Sequence, residues 1–262
     1  MTRSSAADIL CIGAQRAMTS WLHHGFSSHP GVWAFPNFEP LTSTSKEAHY
    51  WDWNRKRGPD WYRVLMRPLD DGLASLDFTP EYAFLDAAQI AECKALNPTA
   101  RVIYILRDPL ARALSAIRMR TVWATKNAPA ETVHLRFDHE FRERCRHANL
   151  IDHGAYAANI RRWRQRYPDL LVLNFEDLRA DPRAGLRRAL DHCGLTADSL
   201  DADRNAQIDE RADRRIWVTP SYGFDADCVE FLHGMLWPEY EATQAETGLT
   251  FTEGAAILEA LS

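Results

Sequence analysis

Arg16, Thr19 and Ser20 fall close together in DILCIGAQRAMTSWLHHGFSS, the segment from Asp8 to Ser28. One guanidinium and two hydroxyls at that spacing are suited to holding an oxyanion if a backbone turn presents them together. The flanking pattern supplies such a turn. Ile9 to Ile12 is a short apolar run closed by Gly13, which reads as a buried strand, and Trp21, Leu22 and Phe26 recur at helical spacing. A helix beginning on the turn aims its first N–H groups and the positive end of its dipole at the same place. The segment is equally compatible with an ordinary strand-turn-helix unit in which Thr19 is a hydroxyl cap.

A second pair of polar residues, Arg107 and Ser115, lies in ARVIYILRDPLARALSAIRMR, Ala100 to Arg120. Val102 to Leu106 is a continuous β-branched and aromatic run, the mark of a strand covered on both faces. Asp108 suits a helix cap and Pro109 a first helical position, after which Leu110, Leu114 and Ile117 keep helical spacing. Two helical turns plus the entry turn separate Arg107 from Ser115, so both are able to face the carboxyl end of the strand. The plainer reading is an Arg-Asp pair closing a helix start.

Together these segments resemble the two nucleotide-binding signatures of the sulfotransferases that use 3′-phosphoadenosine 5′-phosphosulfate (PAPS) and release 3′-phosphoadenosine 5′-phosphate (PAP). The resemblance implies that Arg16 and the loop from Ala17 through Met18, Thr19 and Ser20 to Trp21 hold the 5′-phosphosulfate, and that Arg107 and Ser115 hold the 3′-phosphate. SKEAHYWD, Ser45 to Asp52, is similar to the KExHFFD segment of the carbohydrate branch, which includes the heparan sulfate enzymes. It implies Glu47 as the catalytic base, with Lys46, His49, Trp51 and Asp52 on the acceptor side. LDFTPEY (Leu76 to Tyr82) resembles the EKTPxY element, and LLVLNFEDLRADP (Leu170 to Pro182) a later strand and turn. The likeness runs from about Asp8 to Leu195 and rests on the order and spacing of several motifs.

There are departures. Arg16 stands where relatives usually have lysine, and a planar fork holds a bridging oxygen differently from a point charge. Met18 stands where they have glycine, which implies a loop that needs no positive φ there or one that tolerates a side chain over the phosphate. Phe78 replaces the lysine of EKTPxY. The glycine- and lysine-bearing loop that closes over the nucleotide has one candidate counterpart, Arg211 to Phe224.

Sulfuryl transfer, by analogy with phosphoryl transfer, is an in-line displacement that needs cations, amides and one base. Arg16 and the loop amides would stabilise the departing 5′-phosphate, and Glu47 would take the proton of an acceptor hydroxyl or amine. An arbitrary Lys-Glu dipeptide is by default an exposed, weak pair. His49 is the rival base because histidine titrates near neutral pH. Two other classes remain open. A P-loop-type nucleotide kinase is disfavoured, since Gly13 to Ser20 lacks the second glycine and the lysine of GxxxxGK[ST]. A non-catalytic nucleotide-binding protein with a sulfotransferase fold is the other.

The elements that must position these residues alternate strand and helix, which argues an α/β, P-loop-like three-layer fold with a central, mainly parallel sheet flanked by helices. A helix is expected over His139 to Tyr167, a strand over Leu170 to Asn174 and a helix from Pro182 to about Cys193, stopped at Gly194. Asp198 to Arg215 reads as a polar surface loop, and Asp225 to Thr247 as a helix broken near Pro238. The chain of 262 residues is taken as one sulfotransferase domain, with a nucleotide-binding core over about 8–195 and a helical and loop region over 196–262.

A net charge of −5 and a pI near 6.1 argue against a nucleic-acid surface. The five cysteines are odd in number and widely spaced, so they read as reduced, mostly buried thiols. No metal site is expected: neither His23, His24 and His29 nor His134, His139 and His147 come with ligand-like carboxylate or cysteine spacing. No apolar run reaches membrane-spanning length, and a cytoplasmic location is expected. The expected partner is a small-molecule or glycan acceptor, and a homodimer is left open. Trp33, Trp51, Trp53 and Trp61 are expected to border the acceptor, where they would stack on sugar rings or enclose an apolar alcohol, or else to pack in the core.

Overall fold

Strands close where β-branched and aromatic residues run together, and seven are present among the described residues. They are β1 (Ile9–Cys11), β2 (Val32–Trp33), β3 (Ala74–Asp77), β4 (Arg101–Leu106), β5 (His134–Leu135), β6 (Leu171–Asn174) and β7 (Gly223–Phe224). The computed structural model describes residues 5–36, 45–126, 128–196, 200–216 and 220–261. Five strands form one sheet in the order β2-β3-β1-β4-β6, with every neighbouring pair parallel. Ile9 lies opposite both Leu76 and Arg101, Val32 opposite Ala74, and Ile103 opposite Leu171. β5 and β7 pair separately, also in parallel.

β4 is buried from Val102 to Leu106, as its continuous apolar run requires in a sheet flanked by helices. The main core gathers around this sheet. A second apolar cluster, including Leu114, Ile117, Phe141, Leu232 and Leu236, lies among the Pro109–Ala124, His139–His147 and Ala226–Thr247 helices.

The strand order explains where a ligand belongs. From β1 the chain goes to β2 and returns to β3 on one side of β1, then crosses to β4 on the other side, so the crevice beside the carboxyl end of β1 is a topological switch point. β1 runs into the Gly13-to-Met18 turn, β3 into Phe78 and Thr79, and β4 into Arg107. The two nucleotide signatures and the LDFTPEY element therefore emerge at one edge of the sheet.

Three expected elements differ. His139 to Tyr167 is three helices, His139–His147, Leu150–Gly154 and Tyr156–Arg164, because Asn149 turns left-handed at φ 46° and Ala155 leaves the helical region. The region read as a polar loop contains the helix Ala202–Ala212. Asp201 caps it by accepting from the Arg204 amide, and it packs on the Thr19–Phe26 helix, where the Trp21 indole donates to the Ala212 carbonyl at 2.8 Å. Its only buried residues are Ile208 and Ala212, too thin an apolar stripe to stand out among charges. The Ala226–Thr247 helix continues through Pro238, held against the Pro109–Ala124 and Tyr156–Arg164 helices. Of the candidate closing loop, residues 217–219 lie outside the described residues.

Gly13 sits at φ +141°, and a Cβ there would stand 3.1 Å from the Pro80 carbonyl oxygen and 3.2 Å from the Tyr104 ring. Both the backbone region and the space call for glycine. Gly13→Ala is therefore expected to lower stability by about 1–3 kcal/mol in urea unfolding; an unchanged midpoint would contradict this account of the turn.

Candidate active site

The turn after β1 is left-handed at two residues that carry side chains, Arg16 at φ 72° and Met18 at φ 67°. This corrects the idea that a side chain at Met18 means no positive φ there. Met18 takes the glycine-like conformation as N-cap of the Thr19–Phe26 helix, with its side chain against the main core. The Ala17 amide donates to the Ala14 carbonyl at 3.1 Å and is thus used within the turn. The amides of Thr19, Ser20 and Trp21 head the helix, where intrahelical acceptors are lacking.

Lys46 reaches this turn from the next motif. Its buried Nζ donates to Glu47 Oε1, to the Phe78 carbonyl at 3.1 Å and to Thr19 Oγ1 at 3.4 Å. One ammonium thus joins the helix start to the carboxylate of Glu47. On its other oxygen, Glu47 Oε2 lies 3.3 Å from His49 Nε2, and His49 Nδ1 lies 2.7 Å from Asp52 Oδ2. Only the doubly protonated imidazole donates to both carboxylates. Burial disfavours that charge, but Asp52 and Glu47 outweigh it and push the His49 pKa up to about 10. Burial likewise works against the Glu47 charge, yet Lys46 and His49 overcome it and pull its pKa down to about 2.

The segment is held by a carboxylate behind it. Asp77, fully buried at the end of β3, accepts from the Ala48 amide at 3.2 Å and from Thr79 Oγ1 at 2.6 Å on one oxygen, and from the Tyr62 and Tyr82 hydroxyls at 3.0 Å on the other. The Tyr82 oxygen in turn accepts from the Tyr50 amide at 2.7 Å, and Thr79 Oγ1 from the His49 amide at 3.3 Å. Ala48, His49 and Tyr50 are therefore pinned at three consecutive amides.

A second cluster forms across the crevice. Arg16 Nε donates to Ser115 Oγ at 3.1 Å, and Arg107 Nη1 to the Arg16 carbonyl at 3.1 Å. Burial and the neighbouring Arg107 charge bring the Arg16 pKa down to about 10. The structure thus groups Arg16, Arg107 and Ser115, while the cation at Thr19 is Lys46.

Trp51 requires a correction. Expected on the acceptor side, it is 1% exposed and packed edge-on against Tyr62 and Tyr82. Alternation around the Tyr50–Asn54 turn instead exposes Trp53, 56% accessible, stacked on His49 with centroids 3.6 Å apart. Other groups at the site had been given no role there. Glu81, whose carboxyl is pushed up by burial, takes a hydrogen bond from Gln15 at 3.3 Å. His23, driven down to about 3 by burial and Lys46, stays neutral beside Phe78. Glu253, far off in sequence, meets Arg107. His49, Asp52 and Glu81 also bring one ligand-type atom each within 4.8 Å of one another. All five cysteines are unpaired and four are buried. Among the described residues no helix is long and apolar enough to cross a membrane.

The family model for the sulfotransferase domain matches residues 6–213. The chain is 29% identical over 196 residues to mouse heparan sulfate glucosamine 3-O-sulfotransferase 3A1, a match taking in 71% of this chain and 45% of that protein. It is 28% identical over 188 residues to human heparan sulfate glucosamine 3-O-sulfotransferase 6, covering 71% of this chain and 52% of that one. The chain spans about half the length of these curated relatives. Its fold is similar to that of a sulfotransferase from Alicyclobacillus acidocaldarius, with TM-score 0.68, 19% identity and coverage of 97% of this chain and 100% of that one. It is also similar to that of mouse sulfotransferase SULT7A1 complexed with PAP, with TM-score 0.50, 14% identity and coverage of 100% and 90%.

The paired charges set a pH dependence. His49 is raised from 6.5 to about 10, so its stabilising effect is complete below 6.5 and lost as pH rises through about 10. Glu47 is lowered from 4.5 to about 2, so its effect is complete above 4.5 and lost as pH falls through about 2. Urea midpoints of the His49→Gln variant are expected to fall less steeply than the wild type's between about pH 6.5 and 10. Parallel alkaline limbs would contradict the imidazolium assignment.

Proposed function

The chain belongs to the sulfotransferase domain family, and we propose that it moves the sulfuryl group of PAPS to a hydroxyl or amine of a small-molecule or glycan acceptor, with Glu47 as base. The observation that carries this reading is the line of groups from Thr19 through Lys46 and Glu47 to His49, which joins an anion-ready helix start to a carboxylate at one edge of the sheet.

In this reading the acceptor's proton passes to a Glu47 oxygen as the acceptor atom bonds to sulfur. The bond from sulfur to the 5′-phosphate oxygen breaks, and PAP leaves with that electron pair. Charge on the departing phosphate is met by the Thr19, Ser20 and Trp21 amides, with Lys46 as the cation. Lys46, the lysine of the KExHFFD-like segment, also donates to the Phe78 carbonyl and so stays beside the crevice. A resting Glu47 held low by Lys46 is a weak base; a sulfuryl group that draws the ammonium away restores its basicity at the moment of transfer. His49, facing a carboxylate on each nitrogen, holds its proton at neutral pH and orients Glu47. Trp53, exposed over His49, offers a flat apolar face to an acceptor ring. The glycan expectation draws on the relatives named for heparan sulfate glucosamine.

Arg107, Ser115 and Arg16 supply the 3′-phosphate site, the contact that separates PAP from AMP. Arg107→Ala is expected to weaken PAP binding by about 1.5–3 kcal/mol, the loss of a charged hydrogen bond, with AMP nearly unaffected in calorimetry. Equal affinities of the unaltered protein for PAP and AMP would remove this assignment. Glu47→Gln keeps the shape of the side chain but cannot take the proton, so kcat should fall by roughly 100-fold or more at unchanged PAP affinity. If instead His49→Ala abolishes turnover while Glu47→Gln retains it, with both variants folded, the base is His49.

A further inference from the structure

Arg107 is held on three sides. Its Nε donates to Glu253 Oε2 at 2.8 Å and its Nη2 to Glu253 Oε1 at 3.4 Å, while Nη1 donates to the Arg16 carbonyl at 3.1 Å. The guanidinium carbon lies 4.3 Å from the centre of the Phe175 ring, which forms a floor beneath it. A guanidinium has five N–H groups in a rigid fork, so these bonds leave one on Nη1 and one on Nη2. Glu253 takes the side of the fork and leaves its end.

We propose that Glu253 is a positioning residue of the nucleotide site, gripping Arg107 by its Nε and Nη2 edge so that the remaining Nη donors face the 3′-phosphate. The proposal rests on the reading of Arg107 as the 3′-phosphate ligand and adds the group that aims it. Glu253 lies outside the 6–213 span of the family model, in the last helix of the chain, Glu253–Glu259.

Glu253 is itself firmly fixed. Arg179 Nη1 donates to its Oε1 at 2.8 Å, and its backbone N–H donates to Glu176 Oε1 at 3.0 Å. The Thr252 amide and hydroxyl also donate to Glu176, at 2.7–3.0 Å. The next residue, Gly254, lies so close to the turn after β4 that a Cβ would stand 2.6 Å from Asp108 Oδ2. The end of the chain is thus clamped to the turns following both β4 and β6. Both Arg107 and Glu253 are under one-fifth exposed, so the pair is largely shielded from water, where a carboxylate orients a guanidinium strongly. Without Glu253 the crowded arginines would face one another uncompensated.

The test is calorimetry of PAP and AMP binding to the full chain. Glu253→Ala should weaken PAP about tenfold, as expected for residues in one ion-pair network, with AMP unchanged. Glu253→Gln, which keeps one oxygen for Nε, should lose about threefold. In the Arg107→Ala background, Glu253→Ala should have no further effect on PAP, a result that a merely structural role would not produce. If Glu253→Ala does not fold, the Gln variant decides. PAP binding as tight as wild type or tighter in the Glu253 variants would overturn the proposal, by showing an idle or competing carboxylate. Equal weakening of PAP and AMP would also overturn it. A wild-type-like response of Arg107→Ala to PAP would instead remove the 3′-phosphate reading itself.

Discussion

Asp77 is a carboxylate fully enclosed at the end of a central strand, and four donors converge on its two oxygens. Burial pushes its pKa up, and the hydrogen bonds from Thr79, Ala48, Tyr62 and Tyr82 oppose that rise. A buried carboxyl left without such partners would cost several kcal/mol, so the donors cannot drift. Because one of them is the Ala48 amide, and the flanking His49 and Tyr50 amides bond to Thr79 and Tyr82, the register of Glu47 and His49 is dictated from behind. The chain from 45 to 54 contains no long regular element, yet its polar side chains are set as firmly as if it did.

The two charged clusters at the sheet edge follow one rule, that each buried charge meets an opposite charge or a polar group of matching shape. Lys46 is balanced by Glu47, the Phe78 carbonyl and Thr19. His49 sits between Glu47 and Asp52, and Arg107 between Glu253 and the Arg16 carbonyl. Such pairs are poor contributors to stability, because desolvation offsets most of the attraction. They make good sites for the same reason. Charges already stripped of water and fixed in place need little reorganisation when an anionic donor arrives.

The departures from the family pattern are accommodated by neighbours. Phe78 fills its place as an apolar residue, packed edge-on against Phe26 and the neutral ring of His23, and the cation near its carbonyl is Lys46. Met18 takes the left-handed backbone of a glycine, with its side chain folded onto the core.

The runs that build the sheet were legible in the sequence, because strands covered on both faces are continuously apolar, and Ile9 to Ile12 and Val102 to Leu106 are short β-branched runs closed by turn signals. The anion-ready turns were legible for a similar reason, since a glycine, a helix start and polar residues at short range are all local. What lay beyond the local pattern was decided by tertiary structure. Trp51 and Trp53 are two residues apart and chemically alike, and only the packing of Tyr62 and Tyr82 sends one inward and leaves the other over His49. The Ala202–Ala212 helix is fixed where Trp21 and its helix give Ile208 and Ala212 something to cover, a partner that its charged sequence does not announce. Glu253, 146 residues from Arg107, belongs to no motif at all, and the ion pair exists because the fold brings the last helix back to the end of β4. Periodicity and short-range chemistry are properties of neighbours in sequence; the aim of a side chain is set by neighbours in space, and those appear only once the chain is folded.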